Sequence, residues 1–503
     1  MAHTWSEKRA SERIQKLLNE VENVEIKEYQ RGMSLENIPT NTAYRSDSVH
    51  LYIDIANLDD ILGSTESEGT TSHKRALRFL NLHYRAAHRI LDACDALKVD
   101  FHNQRLHAVI FKPYDSEEDR IKKAVAIGQL IISVLKETGD ETDDIPNAKV
   151  CVGIDSGKSL VVNNGRRKGR EPLFLGPPAN EAAKLASGHS NPGIYLTNKA
   201  REAIGIDSVD NPKITRLTTS EIESCEVDSK LSVTKDQIIK DWKKDLDDNP
   251  IGLFEFTGHT PPMATLDISL LTPGNSRRQD MISIYADIDG FTNFIQNHID
   301  DDTQDVVKIF HVIRSELDNV LTSDFEGRKI RFIGDCLHGV LCLGTAQTTE
   351  TENTITEAVL CSGGFRSSFN LALKELAKAG IDVENLGLQI GLDFGPISIS
   401  RLGIKGSRVR CAVSRSVLIS EDEQGRCDSD STAIGKTAFN KARQAVKDLF
   451  GSTRMVADLD YLEAIESLAE TDTTAKQAKN EAYANSKPAI ASAAELSIRP
   501  HCL

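Results

Sequence analysis

The stretch Ser283–Ile295, SIYADIDGFTNFI, ends an apolar run with an aspartate, adds a second aspartate two places later, and then reads Gly-Phe-Thr. More than 200 residues earlier, His50–Leu62, HLYIDIANLDDIL, repeats the apolar run and its closing aspartate, with alanine in place of the second aspartate and asparagine in place of the glycine. The β-branched and aromatic residues before the aspartate predict a strand, and the apolar spacing after it predicts a helix. An aspartate therefore stands at a predicted strand end in each half of the chain.

Two further pairs of segments repeat in the same order. VDFHNQRLHAVIF (99–111) matches IRFIGDCLHGVLC (330–342), and KVCVGIDSGKSLV (149–161) matches LQIGLDFGPISIS (388–400). Each copy has the order strand, helix, strand-turn-strand, helix, strand, which is the order of a βαββαβ ferredoxin-like sandwich. Three matches in register indicate an internal duplication. The expected fold is therefore α+β, with two tandem ferredoxin-like domains.

Composition shifts and turn residues divide the chain further, with GHTPPMATLDISLLTPGNSRRQ as the best linker. We expect five segments: an N-terminal helix and linker (1–45), a first domain (46–260), a linker (261–277), a second domain (278–466) and a tail that is flexible or a frayed helix (467–503).

Length and charge limit the class of protein. With 503 residues and 39% hydrophobic content, the chain is long enough for two or three globular domains. Its longest apolar runs fall short of the roughly 18 to 20 residues that a spanning helix needs, so we expect a cytoplasmic protein without direct membrane contact. A net charge of −15 disfavours nucleic-acid binding. Nine cysteines without paired spacing indicate reduced thiols.

Two carboxylates of the second copy are predicted to share one sheet edge. Asp287 ends the first strand, and Asp335 lies at the turn of the hairpin that pairs beside it. Their repulsion is relieved by hard divalent cations such as Mg²⁺ or Mn²⁺, with the carbonyl of Ile288 as a further ligand. Gly290, Phe291 and Thr292 begin a helix whose free N–H groups suit a phosphate. The alternative is that each aspartate merely ends a strand.

These residues resemble the class III nucleotidyl cyclases. YADIDGFT and RFIGDC resemble the two metal motifs of that family, and LFLGPPANEAAKLAS resembles its third signature, with Asn and then Arg after a glycine. In the family, two catalytic domains pack head to tail, and each site takes aspartates from one domain and the Asn/Arg pair from the other. The resemblance implies an intramolecular pseudo-heterodimer.

Carried over to this chain, the motifs predict one complete site. The second domain keeps Asp287 and Asp335 and the first keeps Asn180, with Lys184 at the arginine position. The positions that depart from the family pattern are Asn57, Gln104, Leu418 and Asp422, and they fall in the other half-sites. The rival interpretation is a catalytically silent nucleotide-binding scaffold.

The chemistry that the resemblance implies is attack of a ribose 3′-hydroxyl on the α-phosphate of a nucleoside triphosphate, with two Mg²⁺ or Mn²⁺ ions. Asn180 would orient the ribose, and Lys184 would meet the charge that builds at the α-phosphate. Lys405 and Arg408 are candidates for the outer phosphates, and a solvated turn is an equally good interpretation of them.

The base is indicated by Asp100, which stands at the family's base-contacting position. A carboxylate accepts hydrogen bonds, which favours the exocyclic amine of cytosine, whereas an arginine would donate to uracil O4. Its counterpart Arg331 is expected to face the incomplete site, and Leu173 breaks the adenine pattern.

The whole chain also resembles the cyclases of bacterial Pycsar antiphage systems, which make cyclic CMP or cyclic UMP. Such a cyclase is paired with a separate effector protein that senses the product. We therefore expect a cytidylate cyclase, with uridylate cyclase next and adenylate or guanylate cyclase after it, and further pairing of chains remains open.

Overall fold

The computed structural model describes residues 3–64, 67–163, 172–188, 191–470 and 473–486, and within them it forms two mixed β-sheets flanked by helices. The strands of the first sheet are β1 Glu25–Glu28, β2 Thr42–Ile55, β3 Leu97–His102, β4 Arg105–Ile110, β5 Val150–Asn163, β6 Pro172–Leu175 and β7 Gly193–Leu196. The helices of this half are α1 Glu7–Glu20, α2 Leu58–Leu62, α3 Thr70–Ala93, α4 Glu117–Leu135, α5 Pro177–Ala186, α6 Asn198–Ala203, α7 Thr219–Ser229 and α8 Lys235–Asp248. We call this half the first domain.

The second domain follows with the same kinds of elements. Its strands are β8 Phe256–Thr257, β9 Ser276–Asp289, β10 Arg328–Ile333, β11 Cys336–Leu341, β12 Gly387–Leu402, β13 Val409–Val413, β14 Ser431–Ile434 and β15 Met455–Ala457. Its helices are α9 Phe291–His298, α10 Thr303–Asn319, α11 Thr351–Lys378, α12 Arg415–Gly425, α13 Lys436–Lys441, α14 Gln444–Phe450, α15 Tyr461–Leu468 and α16 Thr473–Ser486.

The two sheets share a strand order. The first runs β3-β4-β2-β5-β6 with β7 parallel to β5, and the second runs β10-β11-β9-β12 with β14 parallel and β13 antiparallel to β12. In both, the long central strands pair antiparallel along most of their length. The α+β class and the duplicated strand order predicted from the sequence are therefore present.

Each domain extends a hairpin into the apolar core of the other. In the β5–β6 hairpin, Leu160 and Leu175 belong to the core that is built mainly on the second domain. In the β12–β13 hairpin, Leu402 and Val413 belong to the core of the first domain. Burial of these side chains joins the two domains through the hydrophobic effect.

Part of the expected tail is helical. Residues 473–486 form α16, and its Ala475 and Ala478 are buried in the core of the second domain. Small alanine side chains let this helix pack closely although its sequence has no strong apolar periodicity. The rest of the expected tail, 487–503, lies outside the described residues.

Candidate active site

The two aspartates lie side by side at the end of β9. Leu337 of β11 pairs with Ala286 of β9, so the turn that carries Asp335 lies next to Asp287. Burial, reinforced by the neighbouring charge of Asp335, raises the pKa of Asp287 well above its usual range. Burial also raises the pKa of Asp335 to about 6. The charge of Arg314 opposes the rise in the pKa of Asp335 without cancelling it, so a bound cation would stabilise both ionised carboxylates.

The helix after the aspartates begins at a glycine that the geometry requires. Gly290 has φ +76°, and a Cβ there would lie 2.3 Å from the carbonyl oxygen of Asn385. In the first domain Asn57 occupies this position with φ −112°. Its side chain donates to the carbonyl of Asn147 at 3.0 Å and accepts from the N–H of Lys149 at 2.9 Å. In the first domain, the side chain of Asn57 therefore hydrogen-bonds the neighbouring loop. In the second domain, Gly290 has no side chain, and its backbone lies directly against the equivalent loop.

Asn180 of the first domain reaches this helix start of the second domain. Its helix α5 follows Gly176, begins with two prolines, and lies tight against β5 because Gly153 would place a Cβ 2.1 Å from the carbonyl oxygen of Ala182. The amide of Asn180 donates a hydrogen bond to the hydroxyl of Thr292. The structure therefore brings together two of the site residues that the sequence placed in different domains.

The two predicted lysines lie apart from this contact. Lys184 is exposed one turn after Asn180, and its ammonium pairs with Glu181 at 2.9 Å. Lys405 is exposed at the tip of the β12–β13 hairpin. That tip rests on the first domain, where Ser407 accepts from Lys98 at 2.8 Å.

The expectation that Asp100 and Arg331 serve separate crevices is wrong. Their side chains form an ion pair across the domains, and Arg331 also donates to the carbonyl of Phe101. Strands β3 and β10 carry these residues, and the pairing shows that the two strands approach each other closely. Leu173, which was considered as a base-contacting position, lies in the apolar core instead.

Sequence reasoning missed a second cross-domain ion pair, at the incomplete site. Arg105 of β4 pairs with Glu421 of α12, and its charge also acts on Asp54. Burial raises the pKa of Asp54 to about 6, and Arg105 opposes that rise. The signal in the sequence was an arginine next to Gln104, where the complete site has Cys336 next to Asp335. A guanidinium thus provides the positive charge at the incomplete site.

Gln424 was also missed. From α12 its amide lies 3.5 Å from a carboxylate oxygen of Asp287 and donates to Gln389 at 2.9 Å. Gln389 faces Asp287 across the β9–β12 pair. The two amides border the first aspartate, and no motif marks them.

The two aspartates could hold a metal ion only if other ligands, such as substrate phosphates, complete its coordination. In the part of the chain that the structure describes, no group of three or more His, Cys, Asp or Glu side chains could hold an ion by itself. Mg²⁺ is commonly bound by one or two carboxylates and completed by substrate phosphates. Two half-buried, mutually repelling carboxylates beside a helix start match that arrangement.

Comparison with known proteins identifies the family. The family described as adenylate and guanylate cyclase catalytic domain matches residues 275–417, which cover most of the second domain. A uridylate cyclase from Pseudomonas aeruginosa is 54% identical over 100% of this chain and 98% of its own length. The chain belongs to the class III nucleotidyl cyclase family.

Two further relatives refine this result. A uridylate cyclase from Rhizobium sp. is 39% identical over 82% of each chain. A crystal structure of a class III adenylyl cyclase-like ATP-binding protein from Pseudomonas aeruginosa matches with a TM-score of 0.92 and 54% identity, over 93% of this chain and 100% of that one.

These relatives overturn the expected preference for cytidine triphosphate. Both curated relatives of the cyclase are named uridylate cyclases. The inference from Asp100 treated its carboxylate as a lone acceptor, whereas the structure pairs it with Arg331.

None of the helices in the described ranges is long and apolar enough to cross a membrane.

Proposed function

We propose that the cyclase converts uridine triphosphate to 3′,5′-cyclic UMP and pyrophosphate at a single site between its two domains, packed head to tail as an intramolecular pseudo-heterodimer. The hydrogen bond from Asn180 to Thr292 is the observation that carries this proposal. It joins the ribose-orienting amide of the first domain to the helix start that follows the aspartates of the second.

The residues divide the chemistry between the domains. Two divalent ions, Mg²⁺ or Mn²⁺, held by Asp287, Asp335 and the carbonyl of Ile288, supply activation of the 3′-hydroxyl and charge neutralisation when bound. The N–H groups of Phe291 and Thr292 at the start of α9, with Gly290 allowing close approach, bind phosphate oxygens.

Asn180 and Lys184 act on the sugar and the reacting phosphate. The amide of Asn180 exchanges its bond to Thr292 for one to the ribose, which holds the 3′-hydroxyl in line with the α-phosphate. Lys184 leaves Glu181 to meet negative charge at the α-phosphate, as a single point charge rather than a guanidinium fork. Lys405 is the proposed contact of the outer phosphates.

The Asp100–Arg331 pair supports uracil over cytosine. A lone carboxylate would only accept, which suits the N4 amine of cytosine. With the guanidinium of Arg331 on Asp100, the pair also offers N–H donors, which uracil O4 accepts. As in the Pycsar systems that the sequence resembles, we propose that a separate effector protein senses the cyclic nucleotide.

The decisive experiment incubates the purified chain with UTP, CTP, ATP and GTP in Mn²⁺ and detects cyclic products by mass spectrometry. ATP has a specific claim to inclusion because the structural relative with a TM-score of 0.92 is described as ATP-binding. We expect cyclic UMP as the main product. Cyclic AMP as the main product would refute the base assignment, and no product would favour a silent nucleotide-binding scaffold.

Matched variants in the two domains test which residues form the site. Asp335→Ala in the second domain and Asn180→Ala in the first should each lower kcat/KM by about 100-fold or more, since each removes a contact to the reacting groups. Gln104→Ala, at the position equivalent to Asp335, should leave kcat/KM within about threefold. A loss with Gln104→Ala as large as that with Asp335→Ala would refute the single site.

A further inference from the structure

An amide side chain borders the first aspartate of the complete site. The Nε2 atom of Gln424, on α12, lies 3.5 Å from Oδ2 of Asp287, at the long end of hydrogen-bond distances. The same nitrogen donates to Oε1 of Gln389 at 2.9 Å. An amide nitrogen carries two N–H groups, so one can bind Gln389 while the other points to the carboxylate. Gln424 is thus placed to donate to Asp287.

Contacts on both sides fix the position of this amide. Gln389 stands opposite Asp287 in the β9–β12 register, and its own amide donates to the carbonyl of Cys427 at 3.0 Å. The backbone of α12 lies directly on β12, because a Cβ on Gly391 would be 2.2 Å from the backbone nitrogen of Gln424. The hydrogen bond to Gln389 and the close packing of the helix therefore hold the side chain of Gln424 beside the aspartate.

The first domain provides an internal comparison. Cys151 stands opposite Asp54 in the β2–β5 register, at the position that the glutamine of β12 has in the second domain. Ala186 is equivalent to Gln424, since its backbone nitrogen would lie 2.6 Å from a Cβ on Gly153. Neither side chain has an amide group. Both amides therefore occur in the domain that keeps the pair of aspartates, and neither occurs in the domain that lost the second one.

We propose that Gln424 is a positioning residue, whose amide hydrogen-bonds one oxygen of the Asp287 carboxylate and so orients that carboxylate for the divalent cation that binds with the substrate. This inference deepens the proposed function and rests on it. Hydrogen bonds of this kind are often long before the substrate binds and shorten in the complex. Partners that orient a metal ligand typically change metal affinity by about 10- to 100-fold when they are removed.

Substitution by methionine separates this role from packing. Methionine is unbranched and close to glutamine in length, but it has no N–H to donate. If Gln424 only filled space, Gln424→Met would behave as the wild-type chain does. If its amide orients the carboxylate, the same variant needs more divalent cation to bind the same amount of substrate. A saturating concentration of the cation should then restore the normal affinity for the substrate.

The test measures, by equilibrium dialysis over a range of Mn²⁺ concentrations, how the full chain binds a UTP analogue with an α,β-methylene bridge. The analogue supplies the phosphates that complete the coordination of the ion. We expect Gln424→Met to raise the Mn²⁺ concentration at half-maximal binding by about tenfold. Gln389→Met, which keeps the amide of Gln424 but removes its partner, should raise it by a smaller factor. At saturating Mn²⁺ both variants should bind the analogue with the wild-type affinity.

A glutamine elsewhere in the chain provides the matched control. The amide of Gln237, on α8 of the first domain, also donates to an aspartate, Asp241, at 2.9 Å, but it is exposed. Gln237→Met should therefore leave the Mn²⁺ concentration at half-maximal binding unchanged.

The outcomes separate this inference from the proposed function. An unchanged Mn²⁺ requirement in a folded Gln424→Met chain, with binding that is still lost in Asp287→Ala, would overturn the role of Gln424 and leave the proposed site intact. Weaker binding of the analogue even at saturating Mn²⁺ would show a general structural role instead and would also overturn it. Should Gln424→Met not fold, an unchanged Mn²⁺ requirement in Gln389→Met would overturn it equally. Binding that needs neither Mn²⁺ nor Asp287 would overturn the metal site itself, and the inference with it.

Discussion

At the scale of single residues, the two halves differ where one backbone turn needs glycine. Gly290 adopts a left-handed φ beneath the carbonyl of Asn385, whereas Asn57 uses its side chain to bond the equivalent carbonyl of Asn147. The sequence showed this exchange directly, because only one copy of the motif has glycine. It could not show Gln424, whose amide lies 3.5 Å from a carboxylate oxygen of Asp287 and belongs to no motif.

Gly290→Ala should therefore lower activity sharply. The added Cβ has to displace the backbone at Asn385, which shifts the start of α9, and a displacement of about 1 Å in a catalytic site costs on the order of 100-fold in rate. Steady-state kcat/KM for UTP measures this. Gly274→Ala, whose Cβ would meet nothing within 4 Å, should keep normal activity, and so would Gly290→Ala if α9 had no part in the site.

A buried acid away from the site gives a prediction about pH. Asp393 is fully buried and accepts from the N–H of Ala438 at 2.8 Å, and burial raises its pKa to about 7. The folded state holds this proton more tightly than the unfolded chain, so the group favours folding at low pH and opposes it as the pH rises through 7.

Asp393→Asn keeps the acceptor and does not ionise, so it should raise the free energy of unfolding at pH 8 by roughly 1–3 kcal/mol and have little effect near pH 4. Urea denaturation at the two pH values measures the difference. An equal effect at both would contradict the assignment of the raised pKa.

At the scale of elements, α1 ties the two domains together. The strand that follows it, β1, pairs with β2 of the first domain, while α1 packs on α10 and α11 of the second. Arg13 bonds Glu316 at 3.0 Å and Asp324 at 2.8 Å, and those two carboxylates are only 1% and 2% exposed. The amphipathic helix itself was predictable from its periodicity, but its partners were not, because they lie some 300 residues away in the chain.

Arg13→Ala should lower the free energy of unfolding by about 3 kcal/mol, since it leaves two buried carboxylates without this partner. Thermal and urea unfolding give the value. Lys16→Ala, an exposed position on the same helix, is the matched control and should change stability by less than about 0.5 kcal/mol. Equal effects of the two changes would show that the ion pairs do not hold the helix.

At the scale of the whole molecule, the duplicated sheets and the exchanged hairpins make one unit from two copies. The sequence predicted the duplication because three motifs repeat in register. It misplaced Arg331, since the ion pair between Asp100 of β3 and Arg331 of β10 depends on how the domains pack and not on either repeat alone. It also predicted the wrong base for the same reason, because Asp100 was considered without its partner from the other domain.

Because each domain buries a hairpin of the other, we expect the two domains to stay associated after the segment between them is cut. A protease site inserted at Gly252–Leu253, where Leu253 is 80% exposed and Gly252 has open space around it, should allow a single cut. The two fragments should elute as one species in gel filtration and separate only in denaturant, because each hairpin is buried in the core of the other domain. Separation in native buffer would contradict that packing.

The central claim is that one substrate site exists per chain and that both domains build it. Equilibrium dialysis with a UTP analogue carrying an α,β-methylene bridge, in Mn²⁺, measures it directly. The account predicts one analogue bound per chain, binding weakened by both Asp335→Ala and Asn180→Ala, and binding unchanged by Gln104→Ala. Two analogues per chain, or binding that depends on Gln104 and not on Asn180, would contradict it.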